Sequence, residues 1–184
     1  MEFYTLRLCG LVRKLPLSYV GRKTRLASFS ILGDVELTDA LADEITDRLK
    51  QVKFDYVVGT GVKVVPLLHG VAKRLGQGRF VVCRKSVRPY MVAPIILKPL
   101  PYFPKHVEQM VINGEDAGRL KGKRVVIVDD VVSTGVTMRM VAKLMEKVGA
   151  KVVGRMTVIK QGEPMEAMED LVYLGEMPVF KSRD

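Results

Sequence analysis

Four short stretches of this chain, FDYVVGTG (54–61), RFVVCRK (79–85), KRVVIVDD (123–130) and KVVGRMTVIK (151–160), carry apolar residues at consecutive rather than alternate positions. A strand with such a run is stable only when both faces are covered, as in a parallel sheet buried between layers. Helix-periodic segments lie between them. GDVELTDALADEITDRLKQVK spaces Leu37, Leu41, Ile45 and Leu49 four apart, with Thr38 or Asp39 available as N-cap. VKVVPLLHGVAKRLG reads as a helix closed by Gly76, and TGVTMRMVAKLMEKVG as one stopping at Gly149. Strands alternating with helices predict the α/β class, a mostly parallel twisted sheet with helices on both faces. At 184 residues the chain is expected to be one domain, 1–184, large enough to bury a full core.

Composition narrows the surroundings. No run of about eighteen uncharged apolar residues occurs, and Arg7 interrupts the short apolar stretch at the start, so neither a membrane span nor a leader is expected. Cys9 and Cys83 lack metal-ligand spacing and sit among apolar residues, which fits reduced structural thiols and a cytoplasmic location. The formal charge is +10, and half of that excess lies in the first 25 residues, where Arg7, Arg13, Lys14, Arg22, Lys23 and Arg25 stand against Glu2. Nucleic acid, a small polyphosphate substrate and a merely solvated basic face are each compatible with such an arm.

Between Ser86 and Gly118 the alternation breaks, and five of the nine prolines gather there. A long connection of this kind inside a compact domain is most often a lid or a binding loop. VAPIILKP set against KHVEQMVI predicts a hairpin with LPYFP near its tip.

The stretch VVIVDDVVSTGVTM (125–138) carries the chemistry. In open α/β sheets ligands bind beyond the carboxyl ends of the strands, and Asp129 and Asp130 are expected at such an end. The loop Val131 to Thr137 then enters a helix, whose free N–H groups and positive dipole end attract an anion. Ser133, Thr134 and Thr137 add hydroxyl donors, and Gly135 lets the backbone approach closely. Two carboxylates beside a phosphate repel it unless they face hydroxyl groups or a cation. A sugar phosphate whose ribose hydroxyls point at the aspartates, with Mg2+ nearby, resolves the conflict. No Gly-Lys-Ser/Thr follows, so the loop is not a Walker A motif, and it does not match the Gly-x-Gly-x-x-Gly turn.

An apolar strand, DDVVSTGVTM and a helix together resemble the phosphoribosyl pyrophosphate loop of the type I phosphoribosyltransferases. The order VVGTGV, FVVCRK, proline-rich hairpin, QMVINGEDAGRLKGKRVVIVDDVVSTG is similar to the purine branch, especially adenine and archaeal hypoxanthine transferases, over about Phe54 to Lys160. The resemblance implies transfer of a phosphoribosyl group from phosphoribosyl pyrophosphate to a purine base. It implies that Ser133, Thr134, Gly135, Val136 and Thr137 hold the 5′-phosphate, and that Asp129 and Asp130, as catalytic residues, hold the ribose hydroxyls or the water shell of Mg2+. Thr60, Gly61 and Val62 match the pyrophosphate turn, where members often strain the backbone to present an N–H, and Arg84 and Lys85 the basic pair that neutralises the leaving group. Residues 1–36 are then a hood over the base and 37–184 the core, with a flexible lid at about 86–118. Members usually pair as homodimers.

Departures from the family pattern leave some assignments open. Ser133 stands where animal-type hypoxanthine-guanine transferases carry a carboxylate facing the base, and the tip LPYFPKH lacks the glutamate that adenine transferases place in their lid. Glu108, His106, water or no group at all can fill that part. His69 falls in a helical segment and is expected to be an ordinary histidine. Val136 stands where many members have Gly, and brings a Cβ toward the phosphate. Lys160 lies near where some 6-oxopurine enzymes direct a lysine at O6, although a strand-end Lys reaching solvent fits equally. Val131, Ile159 and Phe29 are further candidates for contact with the base, and Ile159 and Phe29 fit the core as well. The alternative function is a regulator that senses phosphoribosyl pyrophosphate and binds nucleic acid through its arm, although about 25 residues are too few for a helix-turn-helix module.

Overall fold

The computed structural model describes residues 2–20, 23–99, 101, 109–162 and 168–181. Arg22 and the expected lid tip, with His106 and Glu108, lie outside the described residues. In chain order the elements are β1 (Phe3–Leu8), β2 (Leu11–Tyr19), β3 (Thr24–Ala27), α1 (Val35–Leu49), β4 (Tyr56–Thr60), α2 (Val65–Arg74), β5 (Val81–Cys83), β6 (Ile95–Leu97), β7 (Met110–Ile112), α3 (Gly114–Leu120), β8 (Arg124–Val132), α4 (Val136–Lys147), β9 (Lys151–Gln161), β10 (Leu171–Met177) and β11 (Val179–Lys181).

Strands β4, β5, β8, β9 and β10 form one sheet in the order β10-β9-β8-β4-β5, with every pairing parallel. Alternation along β8 shows why its apolar run is unbroken. Val126 and Val128 enter the core shared with α1 and α2, whereas Val125 and Ile127 enter the core shared with α3 and α4. The α/β architecture with both faces covered is therefore as the sequence predicts. The N-cap of α1 is Asp34 rather than Thr38 or Asp39: its side chain accepts the Leu37 N–H at 3.1 Å. Thr38 is instead inside the helix and donates its hydroxyl to the Ile31 carbonyl at 3.1 Å.

The basic N-terminal segment is spent on a second, antiparallel sheet, β1-β2-β3-β11, which the chain closes with its last strand. Cys9 (φ 49°) and Gly10 (φ 75°) make the two-residue turn between β1 and β2, and two left-handed residues match the twist of a tight hairpin. Leu6, Leu8, Leu15 and Ala27 face the core beneath. Arg13 of β2 reaches Asp34 and Glu36, each at 2.7 Å, which ties this sheet to the start of α1. That ion pair is the main reason the Asp34 carboxyl lies below its ordinary range.

The expected hairpin is present in its described part: Ile95, Ile96 and Leu97 pair antiparallel with Ile112, Val111 and Met110. Its root is fixed at two places. Arg84 and Val111 exchange backbone hydrogen bonds of 2.8 and 2.7 Å, so the hairpin hangs from the end of β5. Asn113 Oδ1 accepts the Val92 N–H at 2.9 Å, and the Gly114 N–H donates to the Val92 carbonyl. A side chain on Gly114 would meet the Ala93 carbonyl oxygen at 2.4 Å, so this close approach requires glycine.

Candidate active site

All five central strands point the same way, and their carboxyl ends bring Thr60, Asp129, Asp130 and Lys160 to one edge of the sheet. The aspartates are not the last residues of their strand. Strand β8 continues to Val132, because Val131 and Val132 keep pairing with Ile159 and Lys160 of β9. Asp129 Oδ1 accepts the Asp130 N–H at 2.9 Å and Asp130 Oδ1 accepts the Val131 N–H at 3.0 Å. Asp129 is buried and Asp130 half-buried. Burial first, and then the charge of Asp130, push the Asp129 carboxyl well above its ordinary range, while the positive charge of Lys85 pulls it down.

After Val132 the chain makes a short turn, Ser133 to Gly135, and enters α4. Gly135 is the N-cap with φ 78°, a left-handed conformation that strains any other residue. It offers no side-chain cap of its own, and the Val136 N–H donates to Thr134 Oγ1 over a long 3.5 Å. Apart from this one long bond, the helix starts with no capping side chain and with no acid in its first turn, both of which favour an anion. Ser133 and Thr134 are exposed around that opening and Thr137 is half-buried. Val136, expected to bring a Cβ toward the phosphate, turns its side chain into the core with Met138 and Met140 instead.

Across the sheet, Thr60 ends β4 and donates its hydroxyl to the Cys83 carbonyl at 3.3 Å. Gly61 (φ 81°) donates its N–H to the same carbonyl at 3.2 Å, so this N–H is already used within the fold rather than presented to a ligand. The Arg84 guanidinium donates to the Gly61 carbonyl at 3.3 Å, and Val62 and Lys85 are exposed beside it. Two strands therefore hold one basic turn in a fixed shape. Gly59 lets β4 lie close to β8 and α2, since a Cβ there would meet the Val128 carbonyl oxygen and Leu68 Cδ1, each at 2.8 Å.

The candidates for contact with a base separate. Phe29 and Ile159 are buried in the core with Leu6 and Leu8, the packing role that the sequence also allowed them. Val131 is half-buried, and Lys160 is partly exposed at the edge. Lys160 faces β10, a strand missed in the sequence, where its Nζ lies 3.4 Å from Glu176 Oε1 and 5.6 Å from the centre of the Tyr173 ring. The alternation of LVYLGEM, half-exposed along one edge, was the available signal. His69 is an exposed helix residue edge-on to Phe80, as expected. Among the described residues no three His, Cys, Asp or Glu side chains gather as a metal site. Two carboxylates alone suit a magnesium ion that keeps water and substrate oxygens in its shell.

Residues 35–181 match the phosphoribosyl transferase domain family. A hypoxanthine/guanine phosphoribosyltransferase of Methanocella paludicola is 47% identical over 53 residues, 29% of this chain and 28% of the relative. An adenine phosphoribosyltransferase of Desulfosudis oleivorans is 35% identical over 107 residues, 58% of each chain. In both cases the matched stretch spans less than two thirds of the relative's length. The crystal structure of an adenine phosphoribosyltransferase from Thermoanaerobacter pseudethanolicus shares the fold, with a TM-score of 0.71 over 89% of this chain and 95% of that one at 23% identity.

Proposed function

Because the chain belongs to the phosphoribosyl transferase domain family, we propose that it transfers the phosphoribosyl group of phosphoribosyl pyrophosphate to a purine base, giving a nucleoside monophosphate and pyrophosphate. The observation that carries this function is the α4 start without a capping side chain, directly after two adjacent carboxylates on the carboxyl edge of a parallel sheet. The backbone N–H groups of Gly135 to Thr137, with the Ser133, Thr134 and Thr137 hydroxyls, hold the 5′-phosphate. Asp129 and Asp130 orient the ribose hydroxyls, and the turn Thr60 to Val62 with Arg84 and Lys85 carries the pyrophosphate. Magnesium, held through water by Asp129 and Asp130, would neutralise charge on the pyrophosphate. A purine ring nitrogen displaces pyrophosphate from C1 of the ribose, with catalysis coming from alignment and charge stabilisation.

In this arrangement the antiparallel sheet is a hood over the base, and Val131 and Lys160 form the sheet side of the base pocket. The β6–β7 hairpin is the root of a lid that keeps water from the reactive ribosyl centre. The whole chain is one catalytic unit and works as a cytoplasmic homodimer. No helix among the described residues is long and apolar enough to cross a membrane. Incubation with phosphoribosyl pyrophosphate, Mg2+ and a purine should yield nucleoside monophosphate and pyrophosphate in equal amounts. Formation of neither product with adenine, hypoxanthine, guanine or xanthine would contradict the proposal.

A further inference from the structure

A groove of about 680 Å³ runs between the start of α1 and α2, on the face of the sheet opposite α3 and α4. Its lining is mainly apolar and includes Ile31, Val35, Val65, Pro66 and Phe80. Val35, the first residue of α1, is 80% exposed, and Leu32, between the lining residues Ile31 and Gly33, is 52% exposed. Apolar side chains left open along a groove, rather than scattered singly, mark a surface that another molecule covers. Charge says which molecule. The chain carries +10, so two copies repel one another overall. In this groove the formal charges cancel, with Asp34 and Asp39 on the α1 side against Lys73 and Arg74 on α2.

The signs are also separated. Arg74 is held by Asp39 and Asp43, each at 2.6 Å, yet these two carboxylates stay 67% and 65% exposed, and Lys73 stands exposed on α2. A carboxylate accepts more than one hydrogen bond, so Asp39 can take a second cation. A face with acids on one wall and cations on the other is complementary to itself after a half-turn, whereas a uniformly acidic or basic partner gains nothing from walls that cancel. Resting on the homodimer proposed above, we infer that the α1–α2 groove is the surface through which two copies of this chain pair, with Val35 of each packing into the apolar groove of the other and Lys73 meeting Asp39 across a two-fold axis. The pairing reaches the chemistry through α2. That helix begins at Val65, three residues after Val62 of the pyrophosphate turn, and Val65 and Pro66 line the groove. A second copy seated there braces the turn from behind.

Analytical sedimentation at micromolar concentration tests this. The wild type should run at twice the mass of the chain. Val35→Glu places a charge in the apolar centre, and an acid in the first turn of α1 suits the helix dipole, so this variant should stay folded and run as a monomer. Lys73→Glu should also weaken the pairing. Val12→Glu, the same change on the exposed side of β2, should remain a dimer, and circular dichroism verifies each fold. Monomeric Val35→Glu should raise KM for phosphoribosyl pyrophosphate by roughly three- to tenfold, the scale of one hydrogen bond displaced from the turn. A dimer that persists in Val35→Glu and Lys73→Glu would put the interface on another face and overturn the inference while leaving the homodimer intact. Dissociation by Val12→Glu as well would show that added charge, rather than this groove, governs pairing, and would overturn it too. An unchanged KM in the folded monomer would remove the brace. A wild type that stays monomeric would instead refute the homodimer on which the inference rests.

Discussion

Asp129 is held where its own charge is opposed, buried and next to a second carboxylate. Its proton is bound more tightly in the folded chain than in the unfolded one, where the ordinary value is 3.8. The stability linked to this group is therefore complete below that pH and is lost as pH rises through the raised value. Asn cannot ionise, so Asp129→Asn should melt higher than the wild type at pH 8 without magnesium, by roughly 2 °C or more, and the gap should close toward pH 4. Thermal melts across that range check it; a wild type more stable than the variant at pH 8 would mean that the carboxylate is compensated. Turnover should move the other way, with Asp130→Asn losing about 10 to 1,000-fold in kcat, the scale of removing one positioned electrostatic group. The pair was legible in the sequence because two acids after an apolar run have few structural uses. Their unequal burial was not, since it depends on β8 running on to Val132 and on the paired strand β9.

At the scale of elements, the start of α4 combines an anion site with a backbone that needs glycine. Gly135→Ala should cost about 1–2 kcal/mol of stability for the left-handed conformation and weaken phosphoribosyl pyrophosphate binding. Denaturant melts and ligand titration measure the two losses separately. The antiparallel sheet is equally tied to the rest. Truncation to Arg25 would strip Leu6, Leu8 and Leu15 from the core, so a point change probes it more cleanly. Asp34→Ala removes both the α1 cap and the partner of Arg13, and should cost about 0.5–2 kcal/mol near neutral pH. Because the folded value of Asp34 is lowered, that difference should fade as the solution is acidified through it. The buried strands β4, β5, β8 and β9 could be read from consecutive apolar residues. Strands β1 and β2 could not, because each leaves one face to solvent and mixes charge into its alternation, and the short signal of β10 went unread. The N-cap of α1 was misplaced by one turn: Asp34 caps the Leu37 N–H three residues on, and the contact from Arg13, 21 residues earlier, adds a tie that no local pattern reveals.

For the whole molecule, two layers of helix around a parallel sheet leave one edge for chemistry and little reactivity elsewhere. Burial pushes the Cys83 thiol up to about 12, so a thiol reagent at pH 8 should leave Cys83 unmodified until the chain is unfolded. Modification of the native chain at Cys83 would show that β5 opens under native conditions. Half of the positive excess lies in the first 25 residues, and a further basic turn at Arg84 and Lys85 follows β5 at the sheet edge that carries the carboxylates. Opposite charges on two sides of one edge suit a ligand with phosphates at both ends and hydroxyl groups between them. The most direct test of that account is calorimetric titration of phosphoribosyl pyrophosphate into the wild-type chain, with and without magnesium, repeated with Gly135→Ala. One saturable site per chain is expected, tighter with magnesium and weakened in the variant. Absence of binding, or binding indifferent to Gly135→Ala, would contradict it.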